Sequence, residues 1–225
     1  MGNHETVRLM TPGQFKELQA AVTEQIPSDL SFDRVLRGSE LPAEVINEWI
    51  GFYQKIGIEV DLSGLILPDY EKGFDRLLVI PKGLTLNPVW AACQKVFDGK
   101  TWSAYGNDLD GNVPTNDRVP TTSYAIRVRD RVEADEELKN LSANDLSKKK
   151  IAGITLLERL VYEQKYFHET GGHLDLSNWT LCSGSRHSGG LVPDVHWYSD
   201  VKLYVNWCSP GNHDARLRAR AVVSA

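Results

Sequence analysis

The residues best suited to chemistry are three cysteines (Cys93, Cys182, Cys208) and six histidines. Zinc needs three or four His, Cys or carboxylate ligands in a tight cluster. His168 and His173 lie five apart across Gly171-Gly172, and Cys182, His187, His196, Cys208 and His213 follow. No CxxC, HxxxH or HExxH spacing joins them, so no metal site is expected. Asp108, Asp110 and Asn112 resemble the opening of a calcium loop. Its sixth position, which demands Gly, is Val113, and its twelfth, which demands Glu, is Val119. An EF-hand is excluded, and a non-standard calcium site in that stretch is the one cofactor alternative left open. Gly184-Ser185-Arg186-His187 places a Ser near a His but lacks the GxSxG elbow of a nucleophilic serine. Neighbouring Ser and His in a polar loop read as solvent-facing groups. An odd number of cysteines without CxxC argues against a disulfide framework and for a reduced, cytoplasmic setting.

The 225 residues are 41% hydrophobic, enough to bury a core without staples. The net charge of −5 excludes nucleic acid as the main partner, because phosphate binding needs a basic excess. Lys148-Lys149-Lys150 follows Asp145 and reads as solvated surface. No run of 18 apolar residues is present, so no membrane span is expected. Gly2 and Thr6 match a short myristoylation template that matches by chance often, and it is set aside.

The elements that must position any site follow from periodicity. Thr11 to Ile26 predicts a helix with Phe15, Leu18, Val22 and Ile26 on one face. A second helix begins near Leu41-Pro42, carries Val45, Ile46, Trp49, Ile50 and Tyr53 inward, and closes at Gly57. Arg76 to Ile80 predicts a buried strand, and Thr85 to Phe97 a helix with Cys93 in its core face. Lys100 to Thr122 reads as a long loop. Tyr124 to Arg129 alternates as a half-buried strand, with Ala125, Arg127 and Arg129 on its outer side. Glu133 to Lys150 reads as a polar helix, and Thr155 with Glu158 forms a capping box before a strong helix that Gly171-Gly172 stops.

From Trp179 the pattern changes. Val195 and Trp197 alternate with Asp194, His196 and Tyr198. Leu203, Val205 and Trp207 alternate with Tyr204, Asn206 and Cys208. Leu217, Ala219, Ala221 and Val223 alternate with Arg216, Arg218 and Arg220. Period two predicts an antiparallel sheet with one face on the helices and one face wet. The wet side would carry His196, Tyr198, Tyr204, Asn206 and Cys208, with His187, Asn212, His213 and Asp214 in adjoining loops, the mix that adaptable binding surfaces use. The three arginines are expected to pair internally with Asp and Glu. After Glu169 the chain has no Glu, Gln or Met, and after Lys165 its one Lys is Lys202.

The blocks FDRLLVIPKGLTLN, SYAIRVRDRVEADEELKNLSAN, GITLLERLVYEQKYFHETGGHLD, LCSGSR and LRARAVVS resemble a family of uncharacterised candidate-phylum bacterial proteins. The similarity covers about two-thirds of the chain, from Phe74 onward. The ending also resembles the variable proteins of diversity-generating retroelements. That resemblance implies a C-type lectin-like fold, related to formylglycine-generating enzymes, whose final segment is diversified at AAC or AAT codons. Such codons cannot become Lys, Glu, Gln, Met or Trp, and every outward residue named above belongs to the reachable set.

The expectation is therefore an α+β protein. Residues 1–70 would form a helical N-terminal region, and residues 71–225 a C-type lectin-like domain with its antiparallel C-terminal sheet packed on helices. It would be a ligand-binding protein, not an enzyme, with a protein or other macromolecule as its unknown partner. The variable surface would comprise His187, Asp194, His196, Tyr198, Tyr204, Asn206, Cys208, Asn212, His213 and Asp214. Trp197, Trp207, Pro210 and Gly211 would be fixed scaffold. The rival is an enzyme related to formylglycine-generating enzymes, with a Cys/His centre in the same loops, Cys182 and Cys208 being the candidate pair. A cysteine at a position that changes freely argues against it.

Overall fold

Two β-sheets and the helices between them enclose one large apolar core in this α+β protein. The computed structural model describes residue 41 and residues 43–197 and 202–225. The helix expected over Thr11 to Ile26, and Tyr198 of the expected surface, lie outside them.

Helix α1 (Ala43–Lys55) buries Trp49, Phe52 and Tyr53. The Tyr53 hydroxyl donates to the Val79 carbonyl at 2.6 Å, fixing the helix to strand β1 (Arg76–Ile80). Gly57 ends this region at φ 80°, where a glycine is at home. Since Trp49 and Phe52 share one core with Leu78 and Trp90, the boundary drawn near residue 70 does not coincide with a break in packing. Strand β1 pairs with β4 (Tyr124–Val128), which pairs with β10 (Val223–Ser224), all antiparallel. Residues on both faces of β4 are buried, from Ala125 to Val128. Arg127, expected on a solvent face, is fully buried, with its guanidinium 5.5 Å from the Tyr70 ring centroid.

Helix α2 (Leu86–Val96) turns Leu86, Val89, Trp90 and Cys93 inward, as its spacing predicts. The stretch expected as a loop over Lys100 to Thr122 contains β2 (Thr101–Ser103), the short helix α3 (Leu109–Asn112) and β3 (Thr115–Asn116). Its Asp and Asn residues, which signal loop in sequence, here pin short elements through side-chain to backbone bonds. Asp108 caps α3 through Gly111 N–H, and Asp110 accepts from the Leu86 and Asn87 amides at the start of α2.

The polar helix expected over Glu133 to Lys150 is broken. One 3-10 turn (Glu136–Leu138) is followed by Asn140 at φ 59°, and α4 (Ala143–Lys148) starts afresh on a Ser142/Asp145 capping box. A left-handed residue interrupts the helix at Asn140. Helix α5 (Leu156–Thr170) begins on the predicted Thr155/Glu158 box and ends at Gly171, φ 70°.

The second sheet has the order β2-β8-β7-β5-β9, with β5 (Trp179–Leu181), β7 (Val192–Trp197), β8 (Leu203–Cys208) and β9 (Leu217–Ala219). It is mixed, not antiparallel: β7 runs against β5 and β8, while β2–β8 and β5–β9 are parallel. Strand β6 (Ser185–Arg186) pairs separately with β3. The last alternating stretch divides between the sheets. Leu217–Ala219 joins the second, Ala221 bridges Gly153, and Val223–Ser224 joins the first. At Gly153 a Cβ would overlap Ser183 Oγ and come within 3.1 Å of Ser183 Cβ, so any larger residue at this crossing needs Ser183 to move.

Cys182, Val195, Trp197, Leu203 and Val205 face the main core. On the opposite face Leu181, Val192, Leu217 and Ala219 meet Leu138, Ala143 and Leu146 in a second, smaller core. The face expected to be wet is thus partly covered by the segment that sequence periodicity reads as a surface helix.

Candidate functional site

The uncovered part of that face is built by cross-strand register. Trp102 on β2 stands opposite Tyr204 on β8, and Tyr204 opposite His196 on β7. Trp179 on β5 continues the row. Successive ring centroids lie 5.4 Å (Trp102–Tyr204), 5.6 Å (Tyr204–His196) and 5.0 Å (His196–Trp179) apart. The Tyr204 and His196 planes are within 5° of parallel. Arg216 closes the β9 end with its guanidinium 4.0 Å from the Trp179 ring centroid. The result is a row of four rings on four neighbouring strands, capped by Arg216 just before β9; Tyr204, His196 and Trp179 stack, and Trp102 is tilted against Tyr204.

The expected surface residues divide on this framework. Tyr204, Asn206 and Cys208 are half-buried on the predicted side of β8, between buried Leu203 and Val205. His187 is half-buried, stacked on Tyr105 at 5.5 Å, and its Nδ1 accepts from Gly189 N–H. In the following turn Asn212 and Asp214 are half-buried and His213 is exposed. His213 Nε2 lies 2.7 Å from Asp145 Oδ2, and the Pro210 carbonyl accepts from Asn144 N–H, so this turn is seated on α4. Pro210 is half-buried and Gly211 exposed.

Three expectations are corrected. Asp194 and His196, placed on a wet face, are 3% and 4% exposed. The outer face of β7 is closed by the Trp179 and Tyr204 rings stacked on His196 and, at Val192, by the second core. Trp207, placed inside as scaffold, is 45% exposed. It has the parity of Leu203 and Val205 but stands next to the strand end. Trp197, by contrast, is buried as expected. Trp102, equally exposed at 45%, was hidden in sequence inside the stretch read as loop. The signal that could have found it is the Thr101-Trp102 pair, two residue types that suit a strand.

A second constellation lies beneath the sheet. Glu163, fully buried, accepts from Trp197 Nε1 at 2.6 Å and from Arg159 Nη1 at 2.8 Å. His173 Nδ1 is 3.0 Å from the same Glu163 Oε1. Arg159 also donates twice to Asp175 Oδ2, and Arg220 Nη2 to Asp175 Oδ1 at 2.7 Å. Thr180 adds its hydroxyl to Asp175. Burial alone would raise the Asp175 carboxyl, but Arg220 and Arg159 outweigh it and hold the group below its ordinary range. Asp175 adopts a left-handed backbone, φ 56°, fixed by bonds to Val132 and Trp197. Two arginines matched by two carboxylates form a neutral buried network. The same holds outside it: Arg218 meets Glu136 at 2.5 Å and Arg216 lies 3.5 Å from Asp214, the internal pairing expected for the terminal arginines.

His173 also faces a small cavity of about 110 Å³ lined by Phe97, Asp98, Lys100 and Trp197. A carboxylate-held imidazole is half of a catalytic pair. No Ser, Thr or Cys side chain is hydrogen-bonded to it among the described residues. Cys182 lies in the main core and Cys208 beside the second one, on opposite faces of the sheet, and both are free thiols. Burial, reinforced by Asp194, pushes the Cys208 thiol up to about 12. Among the described residues no group of three or more His, Cys, Asp or Glu side chains is placed to hold a metal ion. Asp108 and Asp110, the candidate calcium ligands, spend carboxylate oxygens on helix-start amides. No helix among the described residues is long and apolar enough to cross a membrane. No family model, no curated protein and no solved structure matches the chain.

Proposed function

We propose that this is a ligand-binding protein that displays the outer side of β8 and the 209–214 turn to a macromolecular partner, on a C-type lectin-like scaffold diversified by a retroelement. The observation that carries the reading is the division along β8. Leu203 and Val205 are fully buried while Tyr204, Asn206 and Cys208 are accessible beside them. Residues reachable from an AAC or AAT codon occupy these positions and Asn212, His213 and Asp214, none of them fully buried, with Cys208 at the rim of the second core. Glu163, Gln164, Lys165 and Trp197, of types those codons cannot encode, are buried. Tyr offers rigid contact area and the short polar groups offer adaptable hydrogen bonds.

The display surface excludes Asp194 and His196, which serve the sheet from within. The test is a library in which codons 204, 206, 208 and 212–214 are replaced together by NNC/NNT mixtures. Most members should fold, judged by protease resistance, and different members should select different protein targets. Wholesale loss of folding would defeat the reading. So would a reverse-transcriptase-free locus in which related chains keep these six positions invariant.

A further inference from the structure

Arg186 carries a charge that nothing within the chain answers. Arg118, Arg159, Arg218 and Arg220 each hold a carboxylate. Among the described residues no carboxylate forms an ion pair with Arg186. Its side chain is nevertheless half-buried and set in one orientation. Nη1 donates to the Ser183 and Ser185 carbonyls, both at 2.7 Å. The Nε and Nη2 donors make no hydrogen bond among the described residues, and neither is sealed from solvent. These two form the edge of a guanidinium that matches the two oxygens of a carboxylate.

Chain pairing brings this edge to the display surface. Strand β6 ends at Arg186, and a tight turn, closed by His187 N–H on the Leu191 carbonyl, leads into Val192 at the start of β7. Strands β6 and β7 are in contact, and Val192 stands opposite Cys208 at the end of β8. The positive charge of Arg186 accordingly reaches the Cys208 thiol and lowers its pKa against the larger effects of burial and Asp194. Asp194 itself lies beside another partner, His196, at 3.5 Å.

We infer that Arg186 anchors a carboxylate side chain of the protein partner at the rim of the surface formed by β8 and the 209–214 turn. This rests on the display reading and names the chemistry of one contact within it. The charge selects the ligand. A guanidinium does not give up its proton in a protein, so an unanswered one favours an anionic group and repels a cationic one. Among unmodified side chains the anions of Asp and Glu are planar and accept two parallel N–H···O bonds. Because Nη1 is already tied to two carbonyls, docking orders the arginine little further.

The test follows the Arg186 Nε–H signal of the full chain by NMR, assigned by its loss in Arg186→Lys, at low ionic strength where charge is least screened. The probes are a terminally blocked Gly-Glu-Gly peptide and its Gly-Gln-Gly counterpart. The glutamate peptide should shift the signal saturably. The glutamine peptide should bind at least about tenfold more weakly, the margin of a charge-assisted pair over a neutral one. A second arm uses members of the surface library that have selected a protein target. Arg186→Gln in those members should weaken the complex at least about tenfold, with Arg186→Lys, which keeps the charge and gives up the fork, falling between. A silent signal or an equal response to glutamine would overturn the assignment. So would a shift with the glutamate peptide alongside selected complexes indifferent to Arg186→Gln, which would make this a site for free carboxylates only. Complexes that form without Arg186 leave the display reading standing, whereas a library that does not fold defeats that reading and leaves the peptides to decide whether Arg186 takes a carboxylate.

Discussion

The rings of His173 and Trp197 stack with centroids 3.4 Å apart while both reach the same oxygen of Glu163. One residue comes from the loop after α5 and the other from the end of β7, so a single buried carboxylate registers the helix against the sheet. Glu163→Gln would leave Arg159 with one carboxylate partner in a dry site. Breaking one arm of a buried charged network costs about 3–5 kcal/mol. Urea unfolding of the variant should show a loss of that order, and a loss below about 1 kcal/mol would mean the network is dispensable.

The acid side of the stability curve should reflect Asp175. Its folded pKa is held below the usual value by Arg220 and Arg159. A depressed folded pKa adds stability that is present above the unfolded value of about 3.9 and lost as pH falls through the lower folded one. Stability measured by denaturant should therefore be flat near neutrality and fall below about pH 4. A rise in stability on acidification would contradict the pairing.

Asp145 offers a test by NMR titration. Its carboxyl is held at about 2, first by the Ser142 hydroxyl, then by the Ser142 amide and His213. Ser142→Ala should raise that pKa more than His213→Ala does. The reverse order would make the His213 contact the dominant one.

The thiols discriminate between binding and catalysis. With the Cys208 pKa near 12, almost no thiolate exists at neutral pH, and the thiolate is the nucleophile. Iodoacetamide at pH 7.5 should label Cys208 at least about tenfold more slowly than free cysteine, read by peptide mass spectrometry. Cys93 and Cys182, fully buried, should be slower still. Rapid labelling of Cys208 would revive an enzymatic role.

Gly153→Ala should destabilise by about 1–3 kcal/mol, the usual cost of forcing an extra group into a packed site. Ser183→Ala on the same background removes the overlapping hydroxyl and should restore most of the loss in thermal denaturation. Failure of the rescue would place the strain in the Gly153 backbone.

Local signals in the sequence carried well where one rule acted alone. The Thr155/Glu158 capping box, the apolar face of α2 and the alternation of Leu203 to Asn206 all appear as predicted. Errors arose where tertiary cover decides. Alternation in Tyr124 to Val128 and in Asp194 to Trp197 suggests one wet side, but both strands are central and both sides are filled. Nothing in Leu138, Ala143 and Leu146 reveals in sequence that they would cover the second face. The row of rings was half legible: Tyr204 and His196 were singled out, while Trp102 and Trp179 join them only through pairing between strands distant in sequence.

The path of the last residues has a consequence for how the protein comes into being. Residues 217–224 lend one strand to each sheet, and Arg220 plugs its charge into the interior between them. Until that segment has left the ribosome, neither sheet is complete and the buried Asp175 is left to share Arg159 with Glu163. Maturation must wait for it, so any message cut short upstream of Leu217 would yield a chain open to proteolysis, not a shortened folded protein. A protein that tolerates altered side chains over Tyr204 to Asp214 would then still reject a shift in reading frame there.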